Sequence, residues 1–159
     1  MSQDKALREQ LAKIIDWNEA HADFDAAVED FPAKQRGRVP DGFPYSAWQL
    51  LEHIRLALWD ILEFSRDARH KSPKWPEGYW PKTAQPSSAV AWDKSVKAVT
   101  KHLDEMRELI TDPSRDLFAP LPHGTGQTLL REALLVGDHN AYHIGQLMLL
   151  RKVLAARQG

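Results

Sequence analysis

Residues 138–146 read Asp138-His139-Asn140-Ala141-Tyr142-His143-Ile144-Gly145-Gln146 and sit inside the last long apolar-periodic stretch of the chain. Residues four apart on a helix stand one turn above the other on one face. His139 and His143 therefore point the same way and can share one metal ion. From spacing alone, two surface or core histidines fit equally well. A third imidazole from a neighbouring helix completes an open three-ligand site, the arrangement of catalytic rather than structural metals.

Working outward, Leu135, Val136, His139, His143, Gln146, Leu147 and Leu150 form one face, and the spacing predicts a helix from about Thr128 to Arg157. Thr128 is the expected cap, with Glu132 one position late for a strict capping box. Three earlier stretches carry the same periodicity. The first runs from about Asp4 to Glu29, with Leu7, Leu11, Ile14, Trp17, His21, Phe24, Val28 and Phe31 on its stripe and Pro32 as its stop. The second runs from Ser46, an N-cap residue type, to about Ala68, with Leu50, His53, Ile54, Ala57, Ile61 and Phe64 inward. The third runs from Ser87-Ser88 to Thr111, with Trp92, Val96, Val99, Leu103, Met106 and Ile110 inward. Proline- and glycine-rich loops separate them. Four amphipathic helices without a strand pattern predict an all-α fold, a four-helix bundle of the up-and-down type, as one domain over residues 1–159.

That topology makes a depth check possible, because the second and fourth helices then run in the same direction. At about 1.5 Å per residue, His53 lies roughly 12 Å from the start of its helix and His139 roughly 16 Å from the start of its own. The three histidines share a layer. His21 falls near the same layer from the first helix, and His102 lies at the edge of the third stripe.

Composition bounds the chemistry. The chain has 159 residues, 43% of them hydrophobic, and a net charge of -1, without a basic stripe, so nucleic acid is not an expected partner. With no cysteine, disulfides, Fe–S clusters, thiolate zinc sites and a cysteine nucleophile are excluded, and any metal must use His, Asp or Glu. No stretch is long and apolar enough for a membrane span, and the polar start Met1-Ser2-Gln3-Asp4-Lys5 lacks a signal-peptide core. A cytoplasmic location is the expectation.

Trp48-Gln49-Leu50-Leu51-Glu52-His53-Ile54 and Asp138 through Gln146 resemble the two signature segments of the DinB/YfiT-like metalloenzymes, and the order of helices agrees over essentially the whole chain. The resemblance implies a four-helix bundle with His53, His139 and His143 as ligands of a divalent metal, zinc or nickel, and a homodimer. It also implies a small-molecule substrate. Some members are thiol-dependent transferases or isomerases that act with a low-molecular-weight thiol such as bacillithiol or mycothiol; others are described as hydrolases.

Further residues are candidates for the chemistry. Glu132 lies two turns before His139 on the same face and fits a water-orienting or basic role, or a carboxylate favoured near a helix N-terminus. His21 fits a packed histidine, a fourth ligand or a proton-transfer group. Gln146 and Gln49 fit hydrogen-bond donors to a ligand or substrate. His123, in Pro122-His123-Gly124, is placed to border a pocket, and His70 reads as a helix-end residue. Trp75, Tyr79 and Trp80 in the long 70–87 loop fit a lid or aromatic wall over the site, a loop packed over the end of the bundle, or a dimer contact. Two functions stay open beside the metal-dependent transferase or hydrolase: a non-catalytic metal-binding stress-response or interaction module, and a metal-free helical dimerisation module.

Overall fold

A computed structural model describes residues 2–16 and 19–156. Five α-helices occur among the described residues: α1 (Gln3–Ile14), α2 (Phe24–Val28), α3 (Ala47–Arg66), α4 (Ala89–Thr111) and α5 (Leu129–Ala156). No strand occurs among the described residues. The predicted first helix is broken in two. The Asp16 carboxylate accepts the Phe24 amide at 3.0 Å, and the Asp23 carboxylate accepts the Ala26 amide at 2.9 Å as the cap of α2. Short acidic side chains that bond nearby backbone offer an alternative to helix continuation. The apolar period through Phe24 and Val28 is real, but α2 carries it as a separate turn packed on α5. Trp17, from the same predicted stripe, lies outside the described residues.

The other boundaries follow the capping chemistry. A reciprocal capping box opens α3: the Ser46 amide donates to the Gln49 side chain at 3.0 Å, and the Gln49 amide donates to the Ser46 hydroxyl at 3.2 Å. Ser88 caps α4 by accepting the Ala91 amide at 3.1 Å, and the Thr128 hydroxyl accepts the Arg131 amide at 3.1 Å to open α5.

Helix α3 packs against both α4 and α5, and α1 lies across the same two helices. The core is filled by Leu51, Ile54, Leu58 and Leu62 of α3, Val99, Met106 and Ile110 of α4, and Val136, Leu147 and Leu150 of α5. Two buried polar devices lock the packing. Arg8 of α1 donates to the carbonyls of Ile110, Asp112 and Arg115 at 2.7, 3.0 and 2.7 Å, satisfying the end of α4 that its own helix leaves open. Glu52 of α3 takes a two-pronged ion pair from Arg55 and a hydrogen bond from Ser95 of α4.

The long connection between α3 and α4 folds back over the bundle. The His70 ring bonds the Asp60 carboxylate at 2.7 Å, and the Tyr79 hydroxyl donates to the same carboxylate at 2.6 Å. His70 is thus not at the end of α3, which stops at Arg66, but returns to the middle of that helix. Helix α5 is apolar on more than its buried side: Leu134, Tyr142 and Leu149 are exposed.

Candidate metal centre

His53 stands on the buried face of α3, and His139 and His143 stand one turn apart on α5. The packing of α3 on α5 brings them together, with one ring nitrogen from each within 4.8 Å of the others. His53 and His143 are buried and His139 is half-buried.

Hydrogen bonds settle which nitrogen two of the rings present. The Nδ1 of His53 lies 2.9 Å from the carbonyl oxygen of Tyr79. A carbonyl only accepts, so Nδ1 carries the proton and Nε2 keeps its lone pair. His143 repeats the pattern, with Nδ1 donating to Oε1 of Gln146 at 2.7 Å. Gln146 therefore meets the site through its carbonyl oxygen, as an acceptor, which leaves its NH₂ for the donor role expected from the sequence. The Nε2 of His139 sits 3.1 Å from that of His53, while its buried Nδ1 has no partner among the described residues.

This arrangement fits a divalent metal. Metal–nitrogen bonds of about 2.0–2.1 Å at tetrahedral angles put neighbouring ligand nitrogens roughly 3.4 Å apart. The His53–His139 separation of 3.1 Å is close to that, and the ligand nitrogens of all three rings lie within 4.8 Å of one another. Of the three rings, only that of His139 leaves a buried Nδ1 unsatisfied.

Electrostatics point the same way. Burial lowers the pKa of His139 to about 3, with the neighbouring His143 and His53 adding to the effect. Burial lowers His143 to about 4, opposed by its bond to Gln146, and lowers His53 as well, opposed by its bond to Tyr79. All three rings are neutral at pH 7, the form that binds metal.

Aromatic rings close the surroundings. The Trp80 indole stacks on the His53 imidazole, with centroids 3.9 Å apart and planes within 4°, and Tyr45 stacks on the other face of that indole at 4.1 Å. Tyr142 meets His143 edge-on at 4.9 Å. Of the three roles that the 70–87 aromatics fit, Trp80 takes that of a wall against the histidines, whereas Trp75 is largely exposed.

The remaining candidates lie elsewhere. His21 is exposed in the segment before α2, its Nδ1 against the neighbouring Ala22 carbonyl, because the break in the first helix removes it from the inward stripe. Glu132 is buried and paired with Arg131 at 2.7 Å. It lines a separate cavity of about 170 Å³ with Asp60, Ser72 and Gln127, and seven residues of helix place it roughly 10 Å along α5 from His139. Gln49 is consumed by the capping box. His123 bonds the Phe64 carbonyl at 2.6 Å near the end of α3. His102 is half-buried on α4, its Nδ1 without a partner among the described residues. Sequence reasoning passed over Asp60, the anchor of Tyr79. Its one visible signal was a position seven residues after His53, two turns along the same face.

No curated protein and no solved structure matches the chain. A family profile described as the DinB superfamily matches residues 16–147. That span holds all three histidines together with Tyr79, Trp80 and Gln146, and with most of its length matched the chain belongs to the DinB superfamily.

Proposed function

We propose that this protein is a metal-dependent enzyme, a single up-and-down four-helix-bundle domain in which His53, His139 and His143 hold one divalent ion, zinc or nickel. The observation that carries the reading is the convergence of three neutral imidazoles, two of them fixed through Nδ1 so that Nε2 faces the shared centre. A divalent ion held there supplies a Lewis acid and lowers the pKa of a thiol or water that reaches it.

The chain's own residues favour transfer of a low-molecular-weight thiol over hydrolysis. The chain has no cysteine, so the sulfur must come from outside. The thiol loses its proton to solvent, and its sulfur forms a bond to an electrophilic carbon whose leaving group departs with the electron pair. Hydrolysis calls for a base beside the histidines; Glu132 is engaged by Arg131 in another cavity and His21 is exposed. Trp80 covers one face of the His53 ring. The partner is a small molecule, the location cytoplasmic and the assembly a homodimer.

Elemental analysis of untagged protein tests the centre, with His53→Ala and His143→Ala alongside. About one divalent metal per chain, lost in both variants, is expected. Wild-type protein without metal after equilibration with zinc and nickel overturns the reading in favour of a non-catalytic module. With metal established, turnover of electrophiles with bacterial thiols separates a transferase from a metal-binding protein.

A further inference from the structure

A cleft of about 260 Å³ opens beside Gln146, with Phe43, Pro44, Tyr45, Leu50 and Leu149 also among its walls. Gln146 is the only one of these with a side-chain amide, and it is the residue that holds His143. We propose that this cleft binds the compact apolar part of a small molecule bearing one hydrogen-bond acceptor, such as an aryl or branched-alkyl carbonyl compound.

Size sets the first limit. An apolar cavity of about 150 Å³ already accepts benzene, and pockets for drug-sized ligands begin near 300 Å³. The cleft has room for a substituted ring and little more.

Polarity sets the second. The Oε1 of Gln146 is engaged by His143, while its amide NH₂ has no acceptor among the described residues. Gln146 is only partly buried, so that NH₂ can donate to a ligand carbonyl without releasing His143. No carboxylate lines the cleft, which leaves an ammonium group without a counter-charge.

The walls are formed before any ligand arrives. Tyr45 is fixed by its stack on Trp80, and the Ser46–Gln49 capping box fixes the turn that carries it. Leu149 leaves 55% of its surface exposed, apolar area that a ligand ring covers favourably. Two cleft residues also reach the histidines: Gln146 bonds His143, and Tyr45 backs the indole that lies on His53. A role as a substrate pocket rests on the metal reading above, whereas binding in the cleft does not.

The test is calorimetric titration of the full chain, metal-free and zinc-equilibrated, with acetophenone, toluene and benzylammonium as probes. Acetophenone is expected to bind saturably to both forms, about fivefold more tightly than toluene, the value of one hydrogen bond, with benzylammonium weakest. Leu149→Trp, at a half-exposed position that tolerates bulk, is expected to weaken acetophenone at least about tenfold by filling the cleft, with circular dichroism and metal content unchanged. Gln146→Leu in the metal-free protein is expected to level acetophenone with toluene. If no metal is found yet acetophenone still binds and responds to Leu149→Trp, the cleft stands and the metal reading falls. If metal is present but acetophenone does not bind, or binds equally to Leu149→Trp, the cleft inference falls and the metal reading stands. If sedimentation shows a dimer lost in Leu149→Trp, and acetophenone does not bind, a second copy covers the cleft and the inference is overturned.

Discussion

Tyr79 bonds Asp60 through its hydroxyl at 2.6 Å and His53 through its backbone carbonyl at 2.9 Å, clamping two residues of α3 that stand two turns apart. Burial and the Asp60 carboxylate raise the Tyr79 pKa far enough to keep the hydroxyl protonated as a donor. One loop residue thereby sets the ring orientation of His53 and, through the next residue, lays Trp80 on the same imidazole.

Asp60→Ala removes the anchor of this clamp. It takes the shared acceptor from the Tyr79 hydroxyl and the His70 ring, at a cost of about 1–3 kcal/mol in stability. It also frees the carbonyl that orients His53, and metal affinity is expected to fall about tenfold, the lower end for lost ligand-orienting partners. Tyr79→Phe removes the same hydroxyl bond but leaves Asp60 to hold His70 and is expected to weaken metal binding less. Chelator competition gives the affinities; equal affinities in Asp60→Ala and wild type would show that the clamp does not orient His53.

Gln146→Leu removes the acceptor on His143 Nδ1. Metal affinity is expected to fall by about 10-fold or more. Gln146→Glu restores an acceptor, now charged, and is expected to bind metal at least as tightly as wild type. The order Glu, Gln, Leu in the same chelator assay checks the assignment, and a reversed order refutes it.

Stability of the metal-free protein should fall in acid. The folded pKa values of His139 and His143, about 3 and about 4, lie below the reference value of 6.5. Between those values and 6.5 the unfolded chain binds protons that the folded chain does not, so stability declines as pH falls. Each histidine contributes up to about 1.4 kcal/mol per pH unit across that window. Above 6.5 neither contributes a slope. Urea denaturation of wild type and a His139→Gln/His143→Gln variant from about pH 7.5 to 4.5 measures the difference, because carboxylates shared by both cancel. Parallel profiles would mean that the two rings are not held neutral by the fold.

Two glycines of α5 should respond oppositely to alanine. A Cβ at Gly137 would lie 2.9 Å from the Ile14 carbonyl oxygen and 3.2 Å from its side chain, where α5 crosses the end of α1. At Gly145 a Cβ meets nothing within 4 Å. Gly145→Ala is expected to stabilise by about 0.5–1 kcal/mol through helix propensity alone. Gly137→Ala sets the same gain against a backbone clash and is expected to destabilise by about 1–3 kcal/mol. Thermal or urea unfolding gives both signs.

Local patterns in the chain were enough for the helical class and for three of the long helices to within a residue or two, because the apolar period and the capping residues Ser46, Ser88 and Thr128 act over a single turn. They also singled out His53, His139 and His143, since a helical spacing of four sets the relative direction of two of them. The broken first helix was not legible. Its apolar period continues through the break, and the bonds of Asp16 and Asp23 that end one helix and start another compete with that period on nearly equal terms. His21 was misplaced for the same reason. It took the packed chain to show that α3 lies on α5 with the three imidazoles facing one another, that the Gln146 carbonyl oxygen accepts from His143, and that Asp60 and Tyr79 hold His53 in place. These relations join residues far apart in the chain or depend on which way a side chain turns after packing, and no local spacing rule encodes them.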